Sequence, residues 1–294
     1  MQDGIHGFWV AAATPLDTNG EVDTVLLGDH ARALFAQGCD GLVLFGTTGE
    51  GTSFSALERI ATVRALLDQG IAAERLALGV GFPAIHDAVG LCRVALSLGV
   101  TQVLALPPYF YRDVTEDGLF DAFASLVEQV GNDRLRLTLY NIPQVSGVRV
   151  PPGVAARLRA SHGRVIAGVK DSSADFAQFR AFRAAAPELT VTVGAEPDIG
   201  RALAEGGAGT ICGMGNIAPD LVRAMFRPNP PVESMRAACG LVSGPFIALL
   251  KSMLAARSGN SGWLNVRAPL RPATMADGIQ RLAQLDALER QCAA

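Results

Sequence analysis

Lysine is almost missing from this chain. Of the twenty-five basic side chains in its 294 residues, two are lysine, Lys170 and Lys251, and the other twenty-three are arginine. Arginine holds its proton at any ordinary pH, whereas a lysine withdrawn from water can become a neutral amine and attack a carbonyl. Long apolar runs are also missing. Apolar residues make up 49% of the chain, yet no uncharged stretch reaches the roughly 20 residues that a membrane-crossing helix needs. The first residues, Met1-Gln2-Asp3-Gly4-Ile5-His6, contain no basic leader followed by an apolar segment, so a cytoplasmic location is expected. A net charge of -3 with scattered arginines gives no attraction to nucleic acid or anionic lipid, and neither is expected as a partner. Five cysteines, odd in number and far apart, form neither a disulfide framework nor a zinc motif. The four histidines, His6, His30, His86 and His162, lack metal-ligand spacing and read as surface or capping residues. A small-molecule ligand handled without metal or cofactor is the expectation.

What is present is a repeated alternation of short β-rich runs with longer helical stretches, the pattern of a parallel α/β fold. Strands are predicted at Phe8–Ala13, Gly41–Phe45, Leu76–Val80, Gln102–Leu106, Arg136–Tyr140, Val165–Val169, Thr190–Val193 and Thr210–Cys212. Helices are predicted at Val25–Gln37, Ala56–Asp68, His86–Leu98, Glu116–Val130, Pro152–Ala160, Phe176–Ala185 and Asp198–Glu205. Eight such strands favour a closed (β/α)8 TIM barrel over an open sheet. The barrel is assigned to residues 1–225 and a C-terminal helical extension to 226–294, the latter as two helical segments joined by Arg257–Pro272.

In such a barrel the C-terminal ends of the strands carry the chemistry. Three of these ends are unusual: Gly46-Thr47-Thr48-Gly49-Glu50 after the second strand, Tyr140-Asn141 on the fifth, and Lys170 on the sixth. Alternation puts Ile166, Gly168 and Lys170 on one face, with Gly168 leaving open space beneath the lysine, and turns Thr138 and Tyr140 to the interior while Leu135, Leu137 and Leu139 meet the helices. The Gly-Thr-Thr-Gly turn offers hydroxyls and backbone N–H groups to a carboxylate; it reads equally as a helix-entry turn capped by Thr47 or Thr48. Tyr140 alone reads equally as packing. Together, an amine, a carboxylate cradle and a phenol point to an enzyme that binds an α-keto acid, condenses its ketone with Lys170 and moves protons through Tyr140.

These motifs, together with Pro107-Pro108-Tyr109-Phe110-Tyr111, Tyr140-Asn141-Ile142-Pro143, Gly168-Val169-Lys170-Asp171 and Gly206-Gly207-Ala208-Gly209-Thr210-Ile211, resemble the pyruvate-dependent class I aldolases and lyases that include dihydrodipicolinate synthase and N-acetylneuraminate lyase. The resemblance runs from about Gly4 to Leu270. It implies a homotetrameric barrel, Lys170 as the Schiff-base residue, Thr47 and Thr48 of the Gly46 turn as ligands of the pyruvate carboxylate, Tyr140 as acid/base and Ile211 as a backbone contact. Lys251 looks like the family's lysine in the C-terminal helices and is expected to be structural.

Two departures bear on specificity. Where dihydrodipicolinate synthases usually carry an arginine for the second substrate's carboxylate, this chain has Val145, which forms no bidentate contact. Where the family places a relay tyrosine that enters the neighbouring subunit's site, this chain has Phe110, so either Tyr111 or Tyr109 substitutes from a shifted loop, with Tyr111 favoured, or the reaction runs by a simpler proton path. The Pro107–Tyr111 stretch looks closer to 2-keto-3-deoxy sugar acid aldolases. Reversible cleavage of a 2-keto-3-deoxy acid to pyruvate and an aldehyde is therefore expected, with dihydrodipicolinate synthase, a keto-deoxy acid dehydratase and a non-catalytic keto-acid-binding protein as alternatives.

Overall fold

Eight parallel strands close into a barrel in sequential order, with β8 pairing back onto β1. The computed structural model describes residues 3–81 and 83–293. The strands are β1 (Gly7–Ala11), β2 (Gly41–Leu44), β3 (Leu76–Gly79), β4 (Gln102–Ala105), β5 (Arg136–Asn141), β6 (Ile166–Asp171), β7 (Thr190–Val193) and β8 (Gly209–Cys212). Between them run α1 (Thr24–Ala36), α2 (Ala56–Asp68), α3 (Ile85–Ser97), α4 (Glu116–Val130), the single turn α5 (Pro143–Ser146), α6 (Pro152–His162), α7 (Phe176–Ala185) and α8 (Ile199–Ala204). The chain is thus a TIM barrel, and each predicted strand and helix is present to within a few residues. No helix among the described residues is long and apolar enough to cross a membrane.

Local chemistry sets the helix starts. Ser55 and Glu58 form a reciprocal capping box at α2, Asp23 accepts the Leu26 N–H at α1, and Thr115 accepts the Gly118 N–H at α4. Neither Thr47 nor Thr48 caps α2, because Ser55 does, so the helix-entry reading of the Gly-Thr-Thr-Gly turn does not hold.

Two apolar sets divide the core. Leu135, Leu137 and Leu139 lie in the large cluster between sheet and helices, whereas Tyr140 lies in the small interior cluster with Trp9, Ala11, Val43, Leu104 and Ile211. Alternation therefore holds along β5. On β6 it fails at one point: Leu137 pairs with Ile166, but the next residue, Thr138, pairs with Gly168, so Ala167 is an extra residue. This irregularity resets the two-residue period. Ile166 consequently joins Val169 in the helix-facing cluster rather than sharing the interior face with Lys170.

Gly168 also differs from expectation. A Cβ there would lie 2.2 Å from Thr190 Oγ1 and 2.5 Å from the Thr190 carbonyl oxygen, so the glycine admits β7 and leaves no open space under the lysine. Thr190 fills that position and donates to the Ala167 carbonyl at 3.1 Å.

After β8 come α9 (Pro219–Ala224), α10 (Val232–Gly240), α11 (Phe246–Ser258) and α12 (Met275–Ala293). The region beyond Pro230 holds three helices where two segments were expected. Gly244, at φ 101°, and Pro245 divide it, since one takes a left-handed backbone and the other lacks the N–H a continuous helix requires. His30 is a further correction, because it packs edge-on against Trp263 at 5.0 Å with Nε2 3.1 Å from Asn216 Oδ1, and burial draws its pKa down to about 4.

Gly168→Ala should force β6 and β7 apart or rotate Thr190, costing about 1–3 kcal/mol as overpacking does. Thermal unfolding should show a melting temperature several degrees lower, and an unchanged value would mean that the Thr190 contact is slack.

Candidate active site

The β5–β6 register places Tyr140 directly opposite Lys170, and Asn141 opposite Asp171. The second pair is a clip. Asn141 Nδ2 donates to Asp171 Oδ1 at 2.9 Å, and Asn141 Oδ1 accepts the Val150 N–H at 3.0 Å, all of it buried. Burial raises the Asp171 pKa, while the bonds from Asn141 and Ser173 oppose that rise. With the clip closed, Lys170 Nζ sits 4.2 Å from the centre of the Tyr140 ring.

Tyr140 Oη in turn lies 3.3 Å from Thr47 Oγ1. The amine, phenol and threonine hydroxyl are thus drawn together from β6, β5 and the turn after β2, the amine against the ring face and the phenol oxygen toward the threonine. They line a cavity of about 880 Å³ at the C-terminal mouth of the barrel, together with Thr48, Val145 and Ile211. Gly46 lies beside it, lining an adjoining space of about 240 Å³ that shares Thr47 and Tyr140. Lys170 and Thr48 are both buried, and Ile211 is fully so.

Glycines shape the lysine's surroundings. A Cβ on Gly194, just after β7, would stand 1.9 Å from Ser172 Oγ and 3.3 Å from Lys170 Cε, so glycine there gives the lysine stem its path. A Cβ on Gly213, just after β8, would press within 3.2 Å of Thr48 Oγ1 and 2.6 Å of Phe246.

Sequence reasoning missed Glu196. It follows β7, lines the same cavity, and accepts the N–H groups of Gly213 and Met214 through Oε1 at 3.1 and 2.9 Å. Its burial raises its pKa, and those N–H groups and Lys170 pull the other way. Its position three residues beyond a predicted barrel strand was the one weak signal, with no spacing or periodicity to strengthen it. Gln144 and Ser172 add further polar groups to the wall.

The structure does not bring Tyr111 to this cavity. Tyr111 and Phe110 are 73% and 75% exposed and stack edge-to-face on each other, 5.3 Å apart, on the loop after β4. Tyr109 is half-buried near Arg59, and none of the three aromatic residues is among those lining the 880 Å³ cavity. Val145, 61% exposed, stands at the mouth on α5.

A closed barrel with a buried amine and a phenol side by side at its C-terminal mouth has the place and the residue types of an enzyme's active site. Comparison with known proteins narrows this. Residues 4–231 match the model of the dihydrodipicolinate synthetase family. An uncharacterized DapA-like lyase from Chloroflexus aurantiacus is 36% identical over 222 residues, covering 75% of this chain and 74% of that protein. A 4-hydroxy-tetrahydrodipicolinate synthase from Acidiphilium cryptum is 34% identical over 75% of this chain and 74% of its own length. The crystal structure of dihydrodipicolinate synthase from Agrobacterium tumefaciens superposes with a TM-score of 0.91 at 33% identity, covering 97% of this chain and 99% of that one. The chain belongs to the dihydrodipicolinate synthetase family, and it is an enzyme, a lyase.

Since Tyr109 and Tyr111 both lie off their own chain's cavity, a relay through either requires a neighbouring subunit. If Tyr111 serves, Tyr111→Phe should slow turnover by about tenfold to a thousandfold, the scale of a lost proton-transfer group, while borohydride trapping of bound keto acid stays near wild type. Equal losses in turnover and trapping would refute the relay.

Proposed function

We propose that this protein is a class I aldolase that reversibly cleaves a 2-keto-3-deoxy acid to pyruvate and an aldehyde. The observation that carries the reading is Lys170, a buried amine beside Tyr140 in a cavity whose wall bears the neutral Val145 together with Gln144, Ser172 and Glu196. Such a wall offers hydrogen bonds to a polyhydroxylated tail.

In the cleavage direction, Thr47 and Thr48 hold the substrate carboxylate, and the backbone at Ile211 borders the same pocket. The Lys170 amine adds to the C2 ketone, and Tyr140 gives its proton to the departing hydroxyl, so that water leaves, an iminium forms that draws electrons from the C3–C4 bond, and the phenolate is left as a base. Tyr140, hydrogen-bonded to Thr47, takes the C4 hydroxyl proton as that bond breaks and the aldehyde departs. The remaining enamine is protonated at C3, and water hydrolyses the resulting iminium to release pyruvate and restore the amine. The exposed Phe110 and Tyr111 support a homotetramer in which this loop reaches a neighbouring subunit.

A second reading has one observation in its favour. Arg271 lines the cavity rim and would suit a substrate with an anionic tail, as the synthase reaction uses.

Pyruvate with borohydride should add a stable mass to the peptide containing Lys170, and Lys170→Arg should abolish it, since arginine retains the charge but not the nucleophile. Labelling at Lys251, or none, would sink the Schiff-base mechanism.

Turnover with a panel of keto-deoxy acids should show kcat/KM for a neutral-tailed substrate above that for condensation of pyruvate with aspartate semialdehyde, by about tenfold or more. Aspartate semialdehyde emerging as the best partner would favour the synthase and the role of Arg271.

A further inference from the structure

Glu50 and Lys251 form an ion pair of 2.6 Å with both side chains shut off from water. They come from distant parts of the fold, Glu50 from the end of the Gly46-Thr47-Thr48-Gly49 turn and Lys251 from the middle of α11. Lys251 Nζ also donates to the Thr14 carbonyl at 2.8 Å, and the second Glu50 oxygen accepts the Arg267 N–H at 2.9 Å. Thr14 Oγ1 donates to the Gly49 carbonyl at 2.9 Å. The two residues directly after Thr47 and Thr48 are thus bolted to the segment that follows β1, to α11 and to the 265–273 segment.

The turn needs such bolts. Phe45 and Glu50, one on each side of it, both sit at φ 55°, a left-handed conformation that costs a non-glycine residue about 1–2 kcal/mol. Gly49 is pressed so close to β1 that a Cβ there would stand 2.6 Å from the Ala12 carbonyl oxygen. An apolar pair would hold a fold together as well as a buried ion pair does, or better. What an apolar pair lacks is direction.

We propose that Glu50 and Lys251 are positioning residues, fixing the backbone of the Thr47-Thr48 turn in the geometry that receives a substrate carboxylate. This rests on the reading that those threonines bind the carboxylate of a keto acid. The pair acts on the carboxylate end of the substrate and leaves the ketone end, at Lys170, untouched.

The test compares two ketones, pyruvate and acetone, which lacks the carboxylate, by the concentration that half-saturates borohydride trapping at Lys170. Wild-type trapping by pyruvate comes first, and its absence would refute the Schiff-base reading itself rather than the positioning role. The neutral double variant Glu50→Gln/Lys251→Met keeps similar volumes and an acceptor for the Arg267 N–H. Its half-saturating pyruvate concentration should rise about tenfold or more, with that for acetone nearly unchanged. A folded double variant with wild-type pyruvate saturation, or with equal losses for both ketones, overturns the proposal. Should that protein fail to fold, Glu50→Asp decides. It keeps the charge but draws the carboxylate one methylene back from Lys251 and the Arg267 N–H, and should raise the half-saturating concentration of pyruvate selectively, whereas wild-type pyruvate saturation in Glu50→Asp overturns the proposal.

Discussion

The pairing of β5 with β6 is the constraint on which the site depends. The amine of Lys170 and the phenol of Tyr140 are carried on adjacent parallel strands, so they lie side by side only because the register is right. A shift of one residue would turn Lys170 or Tyr140 toward the helices. The buried Asn141–Asp171 bond fixes that register from the next residue along, where a slip would leave a carboxylate and an amide unpaired out of water. The irregularity at Ala167 belongs to the same device, because it lets Ile166 face the helices while Lys170, four residues on, faces the barrel interior.

A second constraint joins the barrel to the helices that follow it. Lys251 on α11 is tied to the Gly-Thr-Thr-Gly-Glu turn, and Arg267 reaches the same region, donating to the Ser53 and Gly20 carbonyls and meeting Glu58 at 2.5 Å. Arg267 holds the Glu58 carboxyl down at about 2, and Glu58 is also half of the capping box of α2. The C-terminal part of the chain therefore supports the turn at the C-terminal mouth of the barrel as well as covering apolar surface. Removing one partner of the fully buried pair would leave an uncompensated charge, at a cost of about 3–5 kcal/mol.

Much of this was legible in the chain itself. The strand and helix order followed from the alternation of β-rich and helical runs, and the scarcity of lysine, with the position of Lys170 where an apolar run meets a turn, singled out Lys170. Thr47, Thr48 and Tyr140, picked out at or after strand ends, line the cavity with it, as do Val145 and Ile211, which the family resemblance had pointed to. Glu196 escaped notice because one acidic residue after a short strand has no periodicity or spacing to mark it. The open space expected at Gly168 was misjudged for a related reason: a glycine shows that something comes close, and only the partner strand shows what.

The sequence by itself determined the order of elements, the class of fold and the chemical character of the strand ends, because these depend on local periodicity and residue type. Tertiary structure alone decided which groups touch. Lys251 and Glu50 are separated by 201 positions, and Asn216 and the Ala13 N–H by 203, so nothing in their local sequence couples them. Folding brought them together, since a charge or amide shut away from water must find a partner wherever the closed barrel and its helices place one.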